Sequence, residues 1–385
     1  MERIYLDYNA TTPVKPEVLE EMTPYFSEEF GNPSSLHMLG QRARIAIDAA
    51  REKVAASLGC ASHEIIFTSG GTESDNLAIY GYMGKLAESG KRKLHLITSA
   101  IEHNAVLKVC QHLEGRGVEV TYLPVGGDGI VDTEALKSSI TKDTSLVSIM
   151  AANNEVGTIQ PLGDIVRISH EKGVPVHADA VQAFGKIPLN VGELGIDMLS
   201  ISGHKFYGPK GSGALYVRSG MRLEAFVRGG TQERGMRGGT ENIPAIVGLG
   251  KACETAISCL PENFIRERML RDRLQTLLLK NIRDARVNGD SEKRIPNTLS
   301  IGFLGIEAEA LAVRLDIEGV SVSTGSACSS GASQVSHVIK ALRIPAEFLG
   351  CAIRFSLGHK NSSEQIDRVA LITAGIIADM RKKAV

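Results

Sequence analysis

From about residue 40 to residue 220 the chain alternates short apolar runs with longer segments of helical period. That alternation limits the fold more than any other feature. Leu39 to Gly59 places Leu39, Ala43, Ile47, Ala50, Val54 and Leu58 on one stripe, the spacing of an amphipathic helix. The pattern predicts strands at Glu64–Thr68, Leu94–Thr98, Glu119–Leu123, Leu146–Met150 and Pro175–Ala178. It predicts helices at Thr72–Ala87, His103–Leu113, Thr133–Ile140 and Leu162–Lys172. Such β/α order implies an α/β fold with a mainly parallel sheet covered by helices on both faces. Ligands of such sheets bind beyond the carboxyl ends of the strands.

After Gly250 the character changes. A charged, Leu-rich segment, Pro261 to Ile282, reads as a helix. A strand (Asn297–Ile301), a helix (Ala308–Glu318), a loop around Cys328, a strand (Ala352–Ser356) and a last helix (Ser363–Lys382) follow. This predicts a smaller α+β domain with its boundary near Cys259–Pro261, and 385 residues suit two domains. The formal net charge of −1 offers no basic excess for nucleic acid or an anionic membrane. No run of about 18 apolar residues predicts a membrane span, and the first residues lack signal or transit character. Six cysteines stand far apart with no CxxC pair. That spacing predicts a reducing, cytoplasmic setting, and no metal site is expected.

Five constellations could carry chemistry. Lys205 ends an apolar run, Asp197 to Ile201, and is followed by Gly208, Gly211 and Gly213. Its amine could form an imine with an aldehyde cofactor at the cleft floor, or it is a solvated lysine in a glycine-rich turn. Ser69-Gly70-Gly71-Thr72-Glu73 follows a strand and opens a helix. It is either an anion site built on free amides or a capping turn; it matches neither a Walker A loop nor GxGxxG. His103, at a strand-to-helix junction, could stack on a flat ring and move protons, or simply serve as a polar helix start. Asp179 ends a strand, where a carboxylate needs a cationic or donor partner. A pyridinium N–H would be one, with Gln182 in reach of the same ring's phenolic oxygen and Asn154 at the same edge; a helix N-cap is the other reading of Asp179. In the last part, Cys328 sits among small polar residues, where a thiol can be exposed and nucleophilic or incidental. Arg354 interrupts an apolar strand, as a fork for a carboxylate or as half of a structural salt bridge.

Taken together, these residues resemble the NifS/IscS family of cysteine desulfurases, within the class V aminotransferase-like pyridoxal-phosphate (PLP) enzymes. The matching stretches run in order and cover nearly the whole chain: Tyr5-Leu6-Asp7-Tyr8-Asn9-Ala10-Thr11-Thr12-Pro13, Gly31 to His37, Ala152 to Gly157, Asp179 to Gln182, Gly203 to Gly211, Gln232 to Gly235, Ser326-Ala327-Cys328 and Ala352 to Ser356. The resemblance implies the fold type I PLP-dependent transferase architecture. Residues 14–260 would form the large cofactor domain, and 1–13 with 261–385 the small domain carrying the cysteine loop. It implies that Lys205 holds PLP as an imine, that His103 stacks over the ring and that Asp179 and Gln182 meet its nitrogen and phenolic oxygen. Gly71, Thr72, Ser202, Gly203 and His204 would surround the phosphate, which Thr240 would reach from the other subunit of a homodimer. Asn154 and Arg354 would hold the substrate carboxylate, and Cys328 would accept sulfur.

The implied reaction converts L-cysteine to L-alanine with a persulfide on Cys328, supplying sulfur to an acceptor protein such as an iron–sulfur scaffold, or to thiolation. A selenocysteine lyase, another C–S lyase or an aminotransferase is the alternative on the same scaffold. Two departures stand out. Position 203 is Gly where relatives more often have Ser or Ala, and Gly238-Gly239-Thr240 replaces the usual Ser-Gly-Thr. Each loses a hydroxyl that could contact the cofactor, while the backbone amides remain.

Overall fold

In the computed structural model, which describes residues 3–324 and 335–383, the alternating runs assemble as a seven-stranded sheet. The strands among the described residues are, in chain order, β1 (Ile4–Tyr5), β2 (Ile65–Thr68), β3 (His95–Ser99), β4 (Glu119–Leu123), β5 (Thr144–Ser148), β6 (Val176–Asp179), β7 (Met198–Ser202), β8 (Gly213–Val217), β9 (Ala285–Asn288), β10 (Thr298–Phe303), β11 (Val320–Ser321) and β12 (Ala352–Ser356). The large sheet has the order β2-β8-β7-β6-β5-β3-β4. Its pairs from β7 to β4 are parallel, and β8 runs antiparallel to both β2 and β7. The architecture is therefore α/β with a mainly parallel sheet.

Successive side chains of a strand point to opposite faces, and here both faces are dry. Phe67, Ile97, Val147 and Leu199 join one apolar cluster with Ile47 and Val54 of the helix Met38–Leu58. Ile66, Leu96, Leu146 and Met198, each one position earlier, join a second cluster with Val106 and Cys110 of the helix Asn104–Glu114. A third cluster combines Ile4 and Leu6 with Leu270, Leu274, Leu299, Ile301, Ile353, Phe355 and Val369. It covers the antiparallel sheet β12-β10-β9. The chain start belongs to that later core: Leu6 donates to Ser321 O (2.8 Å) and accepts from Ser356 N (2.8 Å). Among the described residues no single helix is long and apolar enough to cross a membrane.

Strand β8, like β1, β9 and β11, is absent from the sequence pattern, and in its case glycine opens the strand. A Cβ at Gly213 would lie 2.7 Å from Gly70 Cα and 2.7 Å from Ile201 O. Only glycine lets the turn after β2 lie against β8. Strand β5 starts two residues earlier than predicted, at Thr144.

One buried ion pair fixes the segment after β8. Both Arg51 guanidinium termini meet Glu233 at 2.7 Å, while Glu233 Oε2 accepts from Phe67 N (2.9 Å) and Arg51 donates to Ile65 O (2.9 Å). Glu233 and Arg234 have φ values of 44° and 57°, a left-handed turn that non-glycine residues adopt only when held there. Removing one partner strands a buried charge, so Arg51→Ala is expected to cost about 3–5 kcal/mol, read as a large fall in the melting temperature. Arg51→Met combined with Glu233→Gln should lose clearly less than Arg51→Ala.

Candidate active site

The turns that follow β2, β3, β6 and β7 lie at one edge of the sheet. In register, Asp179 at the end of β6 faces Ser200 of β7. The chain then turns through a short 3-10 segment, Gly203–Lys205, which brings the Lys205 amine back over the edge. Lys205 Nζ donates to the carbonyls of Asn9 (2.6 Å) and Ala10 (2.9 Å). Gln182 Nε2 donates to the same Asn9 carbonyl at 2.9 Å. A lysine and an amide more than twenty residues apart thus converge on one atom of the chain's first turn.

Asp179 is buried, and its Oδ1 accepts from Val181 N at 2.9 Å. Burial holds its carboxyl above the ordinary range, opposed by the nearby positive charges of His103 and Lys205. Burial pushes the His103 imidazole below its usual value; Asp179 opposes the shift and Lys205 reinforces it. His103 also caps its helix, accepting from Ala105 N through Nδ1 at 3.2 Å. The helix-start reading is therefore correct as geometry and does not remove the imidazole from the cluster. A second carboxylate lies nearby. Glu102 is fully buried against Ser99 Oγ (2.5 Å) and Met150 N (3.0 Å), and burial lifts it to about 8.

The glycine turn abuts this cluster. Gly70, with φ 151°, precedes the helix Gly71–Asn76, which continues through Leu77–Gly81 to Glu88. A Cβ on Gly71 would lie 2.6 Å from Val181 Cγ2 and 3.6 Å from Ser202 Cβ, so Ser202 borders the turn. Thr72 is exposed beside it. His204 contacts Thr11 Oγ1 through Nδ1 (3.2 Å). Burial, followed by the charges of Lys205, Lys210 and Lys186, pushes it down to about 4. Arg237 Nε meets Glu73 Oε1 at 2.9 Å, and Glu73 accepts from Ser69 N at 2.8 Å. This ties the exposed Thr240 segment to the turn.

Both departures from the family pattern have a steric reason. At Gly203 a Cβ would stand 2.6 Å from Ser212 Oγ, and at Gly238 it would stand 2.7 Å from Gly229 N. The space that a side chain would take is filled by a neighbouring hydroxyl in one case and by backbone in the other.

Arg354 is buried in β12. One terminus donates to Asn154 O (2.9 Å), the other to Asp7 Oδ1 (2.7 Å), and Nε is buried with no partner among the described residues. The main chain of Arg354 also pairs with Ser323. Of the two readings of Arg354, the structure contains the salt bridge, with Asp7 as its partner. Cys328 lies outside the described residues. Of the stretch that contains it, the near stem, Ser323, is paired with Arg354, and the far stem, Ser336, donates to the buried Glu155 carboxylate at 2.6 Å.

Sequence reasoning missed the residue at the centre. Asn9 Oδ1 accepts from Lys186 Nζ (3.1 Å) and Asn297 Nδ2 (3.1 Å), and its Nδ2 donates to Thr298 Oγ1 (2.8 Å) and Asn154 O (3.1 Å). Its main-chain nitrogen donates to Ser356 Oγ at 3.0 Å. The signal was its place in the Tyr5–Pro13 stretch, which carried the resemblance without a role. Asp7, in the same stretch, was missed in the same way; Lys186 and Glu102 were missed because each acts through a neighbour.

An amine, a buried carboxylate seeking a cation, an amide donor, an imidazole and a glycine turn at a helix start form a set suited to a flat, protonated, phosphate-bearing aldehyde. The unpartnered Arg354 Nε suits a carboxylate beside it.

Residues 4–369 match the family model described as aminotransferase class-V. The chain is 49% identical, over 98% of its own length and 95% of the relative's, to a protein of Dictyoglomus turgidum named "Cysteine desulfurase IscS". Among solved structures, it superposes on a "NifS-like protein" with TM-score 0.92 and 41% identity, covering 98% of this chain and 99% of the other. It also superposes on "SspA in complex with cysteine" with TM-score 0.81 and 38% identity, covering 92% and 98%.

The Glu102 geometry gives a pH test. Its folded value is raised from 4.5 to about 8, so the stability it contributes is complete below about pH 4.5 and is lost as pH rises to about 8. In Glu102→Gln, the fall in melting temperature between pH 5 and pH 8 should be smaller than in the unmodified protein, as thermal unfolding at each pH will report.

Proposed function

The chain belongs to the class V aminotransferase family and is a cysteine desulfurase, and from that premise we propose that it uses PLP on Lys205, draws sulfur from L-cysteine and passes it through Cys328 to an acceptor protein. The observation that carries the proposal is the convergence of Lys205, Asp179, Gln182 and His103 on one sheet edge beside the glycine turn. Bound there, PLP would take the substrate's amine covalently and draw electrons from its α-carbon.

The protein's own residues do the rest. The Gly71 and Thr72 amides, with Ser202, Gly203 and His204, hold the phosphate. His204 is kept neutral by burial and the neighbouring lysine charges, so it can donate one N–H without adding a charge. Asp179 supplies the negative charge that keeps the ring nitrogen protonated, and a cationic partner there repays the cost of burying the carboxylate. Gln182 would donate to the cofactor's phenolic oxygen, and His103 would cover its ring. Arg354 and Asn154 would orient the substrate carboxylate. The Lys205 amine, on the same edge, would hold the α-proton.

The Cys328 thiolate attacks the substrate sulfur. An S–S bond forms as the C–S bond breaks, and the electron pair of that bond stays with the carbon fragment, which takes up a proton and leaves as alanine.

The wider assignment follows the same reading. The large unit is residues 14–260, and 1–13 with 261–385 form the small unit; the third apolar cluster, built from Ile4, Leu6 and residues beyond 269, supports this division. The working form is a homodimer. In its support, the large apolar side chains Phe26, Phe30, Leu36, Met38 and Ile45, all within one stretch of the chain, expose 61–91% of their surface, and the exposed Thr240 would complete the partner's phosphate site. The enzyme works in the cytoplasm, and an iron–sulfur scaffold is the acceptor.

Incubation with L-cysteine should yield alanine and a persulfide that mass spectrometry maps to Cys328, and Cys328→Ala should abolish both. Full sulfide release by Cys328→Ala would overturn the sulfur-transfer step. Arg354→Lys should raise KM for cysteine about 10–100-fold, the loss of a charge-assisted fork worth about 1.5–3 kcal/mol. Steady-state kinetics will separate that rise from a change in kcat.

A further inference from the structure

Behind Gln182 stands a second lysine that the reaction as described does not use. Lys186 is 8% exposed. Its Nζ donates to Gln182 Oε1 at 2.7 Å and to Asn9 Oδ1 at 3.1 Å. It also lines a cavity that continues to Lys205, Glu267, Tyr207 and Asn297. A primary amine kept this dry, with both bonds spent on two amide oxygens, is expensive unless those bonds matter.

The consequence falls on the Gln182 carboxamide. The two ends of an amide differ: the oxygen only accepts and the nitrogen only donates. Gln182 Nε2 gives one N–H to Asn9 O at 2.9 Å. Turning the amide over would set Oε1 against that carbonyl, two acceptors face to face, and would set the NH2 group against the lysine donor. Lys186 on one side and Asn9 O on the other therefore fix a single orientation. The second Nε2 hydrogen is left for the cleft where Lys205 shares the Asn9 carbonyl. We infer that Lys186 is a positioning residue, which clamps the Gln182 carbonyl oxygen so that the amide N–H is presented to the cofactor's phenolic oxygen. The inference rests on the PLP reading given above.

The charges that face Lys186 come from three other elements: Lys205 from the turn after β7, Glu267 from the helix Leu260–Asn281 and Arg354 from β12. Burial is the main influence on the amine, which falls to about 7; Lys205 and Arg354 add to the shift and Glu267 opposes it. Glu267 is itself raised to about 7, chiefly by burial, with Lys186 opposing. The clamp does not depend on which of the two holds the proton, because a neutral amine retains two N–H groups for its two acceptors. This separates the clamp from a purely electrostatic role.

The test is a pH titration of the visible absorbance of PLP-loaded protein, in the unmodified chain, Lys186→Met, Gln182→Ala and the double variant. A donor to the phenolic oxygen favours its ionised form. Loss of the clamp should therefore raise the absorbance midpoint by about one pH unit in Lys186→Met. Gln182→Ala should give the same shift, and the double variant no more than either single change. Lys186→Gln, which retains a neutral donor, should restore at least half of the shift. Lys186→Leu, which also lacks a donor, serves as the test if Lys186→Met does not hold PLP. An unmoved midpoint in Lys186→Met or, where that variant is empty, in Lys186→Leu would overturn the inference, as would additive shifts in the double variant. Failure of the unmodified protein to take up PLP at all would instead overturn the cofactor reading.

Discussion

The structure depends on the saturation of one asparagine. Asn9 uses both lone-pair directions of its side-chain oxygen, both side-chain hydrogens, its main-chain nitrogen and its main-chain carbonyl. Its partners come from the turn after β6, the turn after β7, the segment after β5, strand β10 and strand β12. A buried amide with this many partners is costly to displace, since each group left behind would lose its bond in a dry setting. The result is that the chain start, the large sheet and the later antiparallel sheet are registered against one another at the point where the chemistry takes place.

Around that registration the site accumulates buried charge. Asp75, Asp179 and Glu102 lie within electrostatic reach of one another, and burial raises all three. His177, between Ser148 and Ser200 (2.9 and 3.0 Å), is pushed down to about 3 by burial alone and stands 3.7 Å from Asp75. Protonated carboxyls and a neutral imidazole let this layer stay dry. Among the three acids, Asp179 is the one with cationic neighbours, and so the one that a protonated ring could most readily ionise. The layer behind it limits how much negative charge the edge can hold without such a ring.

Much of this was legible in the sequence. The β/α alternation gave the sheet, because apolar runs on a parallel sheet must be covered on both faces. Lys205, Asp179, His103 and Gln182 were legible because each closes or follows a strand, and strand ends share an edge. What escaped was long-range. Strand β8 hides behind Gly213, whose reason lies in Gly70, far away in the chain. Asn9 and Lys186 have no local signature, because an amide or amine gains meaning only from what folding sets opposite it. The sequence leaves Arg354 as a choice between salt bridge and ligand fork; its termini go to Asp7 and Asn154, partners more than 190 residues away in the chain.

The contact between Gly203 and Ser212 has an evolutionary consequence. At 2.6 Å from the would-be Cβ, the Ser212 hydroxyl occupies the volume that a side chain at 203 would need, so drift at the two positions is coupled. A side chain at 203 has room only if that hydroxyl leaves its bond to Pro209 O (2.8 Å) and turns away. Two neighbouring positions beside the lysine thus trade one small volume between them.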